Sequence, residues 1–165
     1  MIGAQRQPEL LGQTVVVIGG TSRIGLETAR RARAEGASVI LTGRNPARLK
    51  QAALELDTER TAAFDANDSA SVQSFFEDLS GPIDHVMVTA GAPHYGPALE
   101  MPATPLSASL LGDDLDKRRN ELQSTLPIRR IVGPTDVAAL AVHIMSNTAL
   151  TGATYDIDGG QQLIS

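Results

Sequence analysis

The run Val15-Val16-Val17-Ile18 stops at Gly19-Gly20-Thr21-Ser22-Arg23-Ile24-Gly25, and a helical pattern through Ile24, Ala29 and Ala32 follows without a break. Four consecutive β-branched residues fit a strand buried on both faces, as in the interior of a parallel sheet. A glycine-rich turn between such a strand and a helix leaves the first N–H groups of the helix unpaired, at the positive end of its dipole. Gly19 permits the tight turn, and Gly25 lets the helix pack closely on the strand. Between them, the N–H groups of Thr21 to Ile24 can face an anion such as a pyrophosphate. Taken alone, the stretch is equally an ordinary strand-to-helix turn, so the rest of the chain has to decide.

The same alternation continues downstream. Residues 1–12 read as a polar lead-in, and strand one covers about Thr14–Ile18. A helix from about Ile24 to Glu35 follows, with Gly36 as its C-cap. Strand two is Ser38–Leu41, ending in Thr42-Gly43-Arg44, after which Asn45 caps a helix with Pro46 in its first turn. Strand three is Thr61–Phe64, and Asp68 or Ser69 opens a helix carrying Val72, Phe75, Phe76 and Leu79. Strand four is His85–Val88, closing in Thr89-Ala90-Gly91. Strands alternating with helices at this spacing predict an α/β fold, a Rossmann-type doubly wound parallel sheet. Further helices are expected at about 107–124 and 135–147, with a last strand at about Ala153–Ile157, so that the order 3-2-1-4 is extended by the C-terminal strand.

Composition removes several functions. The chain has 19 acidic and 14 basic residues, a net charge of −5, which argues against nucleic acid and anionic membranes as partners. With no cysteine there is no disulfide, thiolate metal site or cysteine nucleophile. No apolar run approaches a membrane span, the first twelve residues lack a signal-peptide core, and a cytoplasmic location is expected. The histidines His85, His94 and His143 read as packing or surface residues, and no metal site is expected. Arg30, Arg31 and Arg33 read as a solvated helix face.

Ligands of such sheets sit outside the carboxyl ends of the strands, and there the residues resemble the short-chain dehydrogenase/reductase family. The glycine turn is similar to its T-G-x-x-x-G-x-G pattern, with Ile18 in place of the leading Thr and Arg23 in place of the middle Gly. After strand two, a carboxylate would select the free ribose hydroxyls of NAD; here Arg44 offers a guanidinium suited to a 2′-phosphate, or is simply exposed. Asp65-Ala66 resembles the family's turn against the adenine, although Asp65 can equally cap a turn. Val88-Thr89-Ala90-Gly91 resembles a degenerate Asn-Asn-Ala-Gly motif: it keeps the small residues and lacks both asparagines. The run Leu126 to Ala138, then Leu150-Thr151-Gly152 and Tyr155 to Gly160, resembles the family's closing segments. The resemblance implies NADP(H) rather than NAD(H) as cofactor. The contacts it implies are Gly19, Thr21, Ser22, Arg23, Ile24, Gly25, Arg44, Asp65, Ala66, Ala90, Gly91 and Thr104. It also implies a small carbonyl or alcohol substrate, which residues 93–96 can border, and a homodimer or homotetramer built on the last helix and strand.

The family's catalytic Ser and Tyr-x-x-x-Lys pair are not found. Four residues after Tyr95 stands Leu99, and four after Tyr155 stands Gly159; Lys50 and Lys117 are the only lysines. Residues 98–101 resemble the start of the family's fourth helix, and residues 102–106 already resemble the segment after its sixth strand. Residues 13–165 are therefore expected to form a single Rossmann-type domain with a segment missing near 101–105. Two functions remain open: an NADP(H)-dependent oxidoreductase whose catalytic segment is not in this sequence, or a catalytically silent nucleotide-binding or regulatory protein.

Overall fold

The computed structural model describes residues 7–90 and 115–163, which fall into two compact units: 7–90 with 138–151, and 115–137 with 152–163. The first unit opens with β1 (Thr14–Ile18), α1 (Arg23–Ala34), β2 (Ser38–Gly43) and α2 (Pro46–Glu55). It continues through β3 (Thr61–Ala63), α3 (Ser69–Glu77) and β4 (His85–Val88). The helices α4 (Leu115–Thr125) and α5 (Pro134–Ser146) follow, the latter joining the first unit from Ala138 onward, and a short 3-10 turn covers Gln161–Leu163.

All strand pairs are parallel and the order is β3-β2-β1-β4, as expected from the alternation. Handedness then assigns the helices. The crossovers β1-α1-β2 and β2-α2-β3 step the same way and, being right-handed, place α1 and α2 on one face. The return from β3 to β4 steps the other way and places α3 on the opposite face. The core follows this division. Val15, Val17, Val39 and Leu41 pack with Ala29, Ala32, Leu49, Ala52 and Val142, whereas Val16, Ile18 and Ile40 pack with Phe75 and its neighbours. Val15, Val16 and Val17 are fully buried, each contributing about 1.5–3 kcal/mol of hydrophobic stabilisation. On the α3 face, Val86 and Val88 of β4 remain 48% and 60% exposed.

Local signals set most boundaries. The Ser22 side chain accepts from Gly25 N–H and starts α1 one residue earlier than the periodicity suggests. Asn45 caps α2 with Pro46 in its first turn, and Asp68 caps α3. Arg30 bridges Glu27 and Glu55, and Arg33 meets Asp57 at 3.0 Å, so these arginines tie α1 to α2 and to the turn after it. Half-buried His85 is held through Nε2 by Gln13 at 2.7 Å, a packing role.

Two expectations are corrected. The end of the lead-in is not merely polar: Leu10 is fully buried in the first core cluster, its N–H donating to Glu35 O at 2.9 Å, and Pro8 and Leu11 press on Gly36. Residues 153–157 form no strand; the described sheet has four strands, and Tyr155 is 41% exposed. A parallel strand exists only by hydrogen bonding to a neighbour, and Ala153-Thr154-Tyr155-Asp156-Ile157 has too little apolar surface to hold an extended conformation without one. The expected helix at 107–124 is described only from Leu115, and residues 107–114 lie outside the described residues.

Within the second unit, Asp136 takes both Nη atoms of Arg130 at 2.6 Å and the Gly133 N–H at 2.9 Å, the carboxylate half of a capping box at the start of α5. Asp158 accepts from Gly160 and Gln162 N–H and closes the final turn.

Candidate functional site

The glycine turn is held from three sides. Gly19 and Gly20 N–H both donate to Thr42 O of β2, at 3.2 and 2.9 Å, and Ser22 N–H donates back to Gly19 O at 2.9 Å. From β4, the Thr89 hydroxyl lies 3.0 Å from Gly19 O, 3.2 Å from Ile18 O and 3.1 Å from Ser22 Oγ. Gly19 has φ +89°, and a Cβ there would meet Ala90 N at 2.7 Å, so glycine is required on both conformational and steric grounds. A Cβ on Gly25 would lie 2.4 Å from Gly19 O.

The fold leaves a set of donors at this point. Among the described residues, the backbone N–H groups of Thr21, Arg23 and Ile24 have no hydrogen-bond partner, while those of Ser22, Gly25 and Leu26 are taken up. Arg23 projects from the first helical position, exposed and without an ion pair among the described residues. Arg44 is likewise exposed, directly after β2. The backbone at Gly43 leaves room for the Thr21 side chain, whose Cγ2 and Oγ1 would both be 3.1 Å from a Cβ at Gly43. Open N–H groups at a helix start can receive an anion, Arg23 and Arg44 are the exposed cations at the turn and directly after β2, and no carboxylate lies within residues 19–25.

The other sequence-derived candidates divide. Asp65 Oδ1 accepts from the backbone N–H and side-chain amide of Asn67, both at 3.0 Å, so this carboxylate shapes a turn. Ala66 and Ala90 line the α3-side core cluster beside it. Gly91, Thr104, the segment 93–96 and the proposed gap near 101–105 lie outside the described residues. Two hollows of about 320 and 560 Å³ border β3, and neither shares a lining residue with the glycine turn. Thr89 was visible only as a lost asparagine. The signal that would have found it is a small hydroxyl at the carboxyl end of the strand beside β1.

A doubly wound parallel sheet with a capped glycine turn at the end of its first strand defines a nucleotide-binding class of α/β proteins. The short chain dehydrogenase family model matches residues 13–110, and the chain belongs to that family. Over 89 residues it is 37% identical to a probable oxidoreductase of Streptomyces antibioticus, covering 50% of this chain and 30% of that protein. Over 88 residues it is 36% identical to an NADP-dependent (R)-specific alcohol dehydrogenase of Lentilactobacillus kefiri, covering 50% and 35%. The chain thus aligns with about a third of the length of these curated relatives. An actinorhodin polyketide ketoreductase solved with NADPH superposes with a TM-score of 0.75 at 17% identity, over 90% of this chain and 96% of that one, which establishes the shared fold. No helix among the described residues is long and apolar enough to cross a membrane.

Proposed function

We propose that this chain is the nucleotide-binding framework of an NADP(H)-dependent oxidoreductase acting on a small carbonyl or alcohol substrate. The observation that carries this reading is the set of three open N–H groups at the start of α1, with exposed arginines at the first helical position and directly after β2. An NADP-dependent relative and a structural neighbour solved with NADPH support the same cofactor. In this reading Thr21, Arg23 and Ile24 N–H hold the pyrophosphate, with Gly19 and Gly25 allowing the approach and Arg23 adding a charged donor. Arg44 holds the 2′-phosphate. Asp65 and Ala66 border the adenine and Ala90 lies further along the cofactor, while Gly91 and Thr104, outside the described residues, are proposed as contacts on the family resemblance alone. When bound, the nicotinamide supplies hydride transfer.

The 165 residues contain no Tyr-x-x-x-Lys pair to exchange a proton with the substrate oxygen, so binding without turnover is the expected behaviour of this chain by itself. That same absence, with Arg23 at the middle turn position, supports the second reading of a silent nucleotide-binding protein. Turnover by a chain whose mass is verified at 17.4 kDa separates the two from an unrecognised catalytic arrangement. The cofactor reading is tested by titrating NADPH and NADH into wild type and Arg44→Ala. Loss of a charge-assisted hydrogen bond should weaken NADPH about tenfold to hundredfold and leave NADH unchanged. An unaltered NADPH-to-NADH ratio refutes it.

A cytoplasmic homodimer or homotetramer completes the proposal. Ile144 on α5 is 38% exposed although that helix also buries Ala141 and Val142, giving it a second apolar side. Light scattering at micromolar concentration should return at least twice the chain mass, and a monomer removes this part.

A further inference from the structure

We propose that Thr89 positions the anion-facing end of α1 through a directed hydroxyl relay, and that this relay commits Ser22 inward so that it donates nothing to a bound anion. The direction follows from counting protons. Gly19 O and Ile18 O can only accept, and both lie within reach of Thr89 Oγ1, at 3.0 and 3.2 Å. Ile18 O already accepts the Thr89 and Ala90 N–H groups and Gly19 O only that of Ser22, so the single hydroxyl proton of Thr89 is assigned to Gly19 O, which has a lone pair left. With that assignment, the contact between Ser22 Oγ and Thr89 Oγ1, at 3.1 Å, is donated by Ser22. Ser22 Oγ in turn accepts the Gly25 N–H at 3.0 Å. The chain runs Gly25 N–H to Ser22, Ser22 to Thr89, and Thr89 to Gly19 O.

Each hydroxyl in this chain both accepts and donates, so each bond polarises the next. The relay also passes through the space that a Cβ on Gly25 would take, 2.7 Å from Thr89 Oγ1 and 2.9 Å from Ser22 Oγ. It locks the end of β4 to the helix cap and fixes where the open N–H groups of Thr21, Arg23 and Ile24 point. With its one proton spent, Ser22 has only lone pairs left to present, which an anion repels. Ser22 and Thr89 are positioning residues, and the anion is held by their neighbours.

The inference rests on the nucleotide reading above, and the test keeps the two apart. NADPH and adenosine 2′-monophosphate are titrated into wild type, Thr89→Val, Thr89→Ser, Ser22→Ala and the Thr89→Val/Ser22→Ala double variant. The monophosphate carries the 2′-phosphate and lacks the pyrophosphate. Thr89→Val should weaken NADPH about tenfold and leave the monophosphate within about twofold, because the turn is disturbed and Arg44 is not. Thr89→Ser, which keeps the hydroxyl, should restore NADPH to near the wild-type value. Ser22→Ala should match Thr89→Val, and the double variant should be no weaker than either single one, because one relay can be broken only once. A double variant whose loss is the product of the two single losses shows Ser22 donating directly to the phosphate and overturns the proposal. Equal loss in Thr89→Ser and Thr89→Val overturns it as well. If wild type binds neither nucleotide, the cofactor reading fails. The relay is then decided by the melting temperatures of the same proteins, where non-additive losses support it and additive losses overturn it.

Discussion

Replacing Gly25 with alanine adds one methyl group at the most crowded point of the turn. Its carbon would sit 2.4 Å from Gly19 O, 2.7 Å from Thr89 Oγ1 and 2.9 Å from Ser22 Oγ. The nearest of these is a backbone carbonyl already held by Ser22 N–H at 2.9 Å, so it cannot swing aside as a side chain would. Overpacking of this kind costs about 1–3 kcal/mol, and displacing the Ser22 cap adds about 1 kcal/mol. The better helix propensity of alanine returns up to about 1 kcal/mol, and less at this position in the first turn. The net loss is about 1–4 kcal/mol, which for a chain of this size lowers Tm by about 2–16 °C. A circular dichroism melt reads the first effect and an NADPH titration the second, since displaced N–H groups no longer converge. An alanine variant that melts with wild type and binds NADPH as tightly would refute the account of the turn.

Leu10→Ala should cost about 2–3 kcal/mol in a chemical denaturation series, the lower part of the range for a fully buried leucine because it plugs the rim of the core. A loss below about 0.5 kcal/mol would show that the lead-in does not anchor there. Asp68 and Asp158 should both titrate below the ordinary aspartate range. The Ser71 hydroxyl and then the Ala70 N–H hold the first carboxylate, while Gly160 and then Gln162 N–H hold the second. A folded pKa below the unfolded one gives stability that is complete above the unfolded pKa and is lost as pH falls through the folded value. Carboxyl NMR titration checks this directly, and Asp68→Asn should remove its share of the acid sensitivity.

Regular alternation made the first half of the fold legible. β1 and β4 fall where the apolar runs place them, and Asn45-Pro46 marked the start of α2. The strand order 3-2-1-4 followed from the Rossmann-type reading, and handedness then assigns each helix to its face. The failures share a cause, which is dependence on partners that the local sequence does not name. Leu10 looks like one of two adjacent leucines closing a polar stretch until the end of α1 is placed beside it. Residues 153–157 carry a strand-like composition, and only the presence of a paired neighbour would make them one. At the site, the glycines were legible because turn geometry restricts residue choice, whereas the Ser22 cap was not read from the sequence, which started α1 at Ile24. Thr89 was misread as a weakened motif because its bonds reach 67 and 70 residues back along the chain, where no local pattern points.

The register of β1 also sets an order in time. On one side Val15 faces Val39, reached through the single helix α1; on the other it faces His85, after two more crossovers. The tie from Thr14 N–H to Asp84 spans 70 residues. Closing the longer loop costs about 1 kcal/mol more in chain entropy, before any packing on the α3 side rewards it. The β1-α1-β2 unit is therefore the natural nucleus, and β4 docks late with Thr89 as its last inward bond. Pulse-labelled hydrogen exchange should protect the amides of β2 before those of β4, and the reverse order would place the nucleus elsewhere. In this sequence of events the glycine turn acquires its final shape only when the sheet is complete.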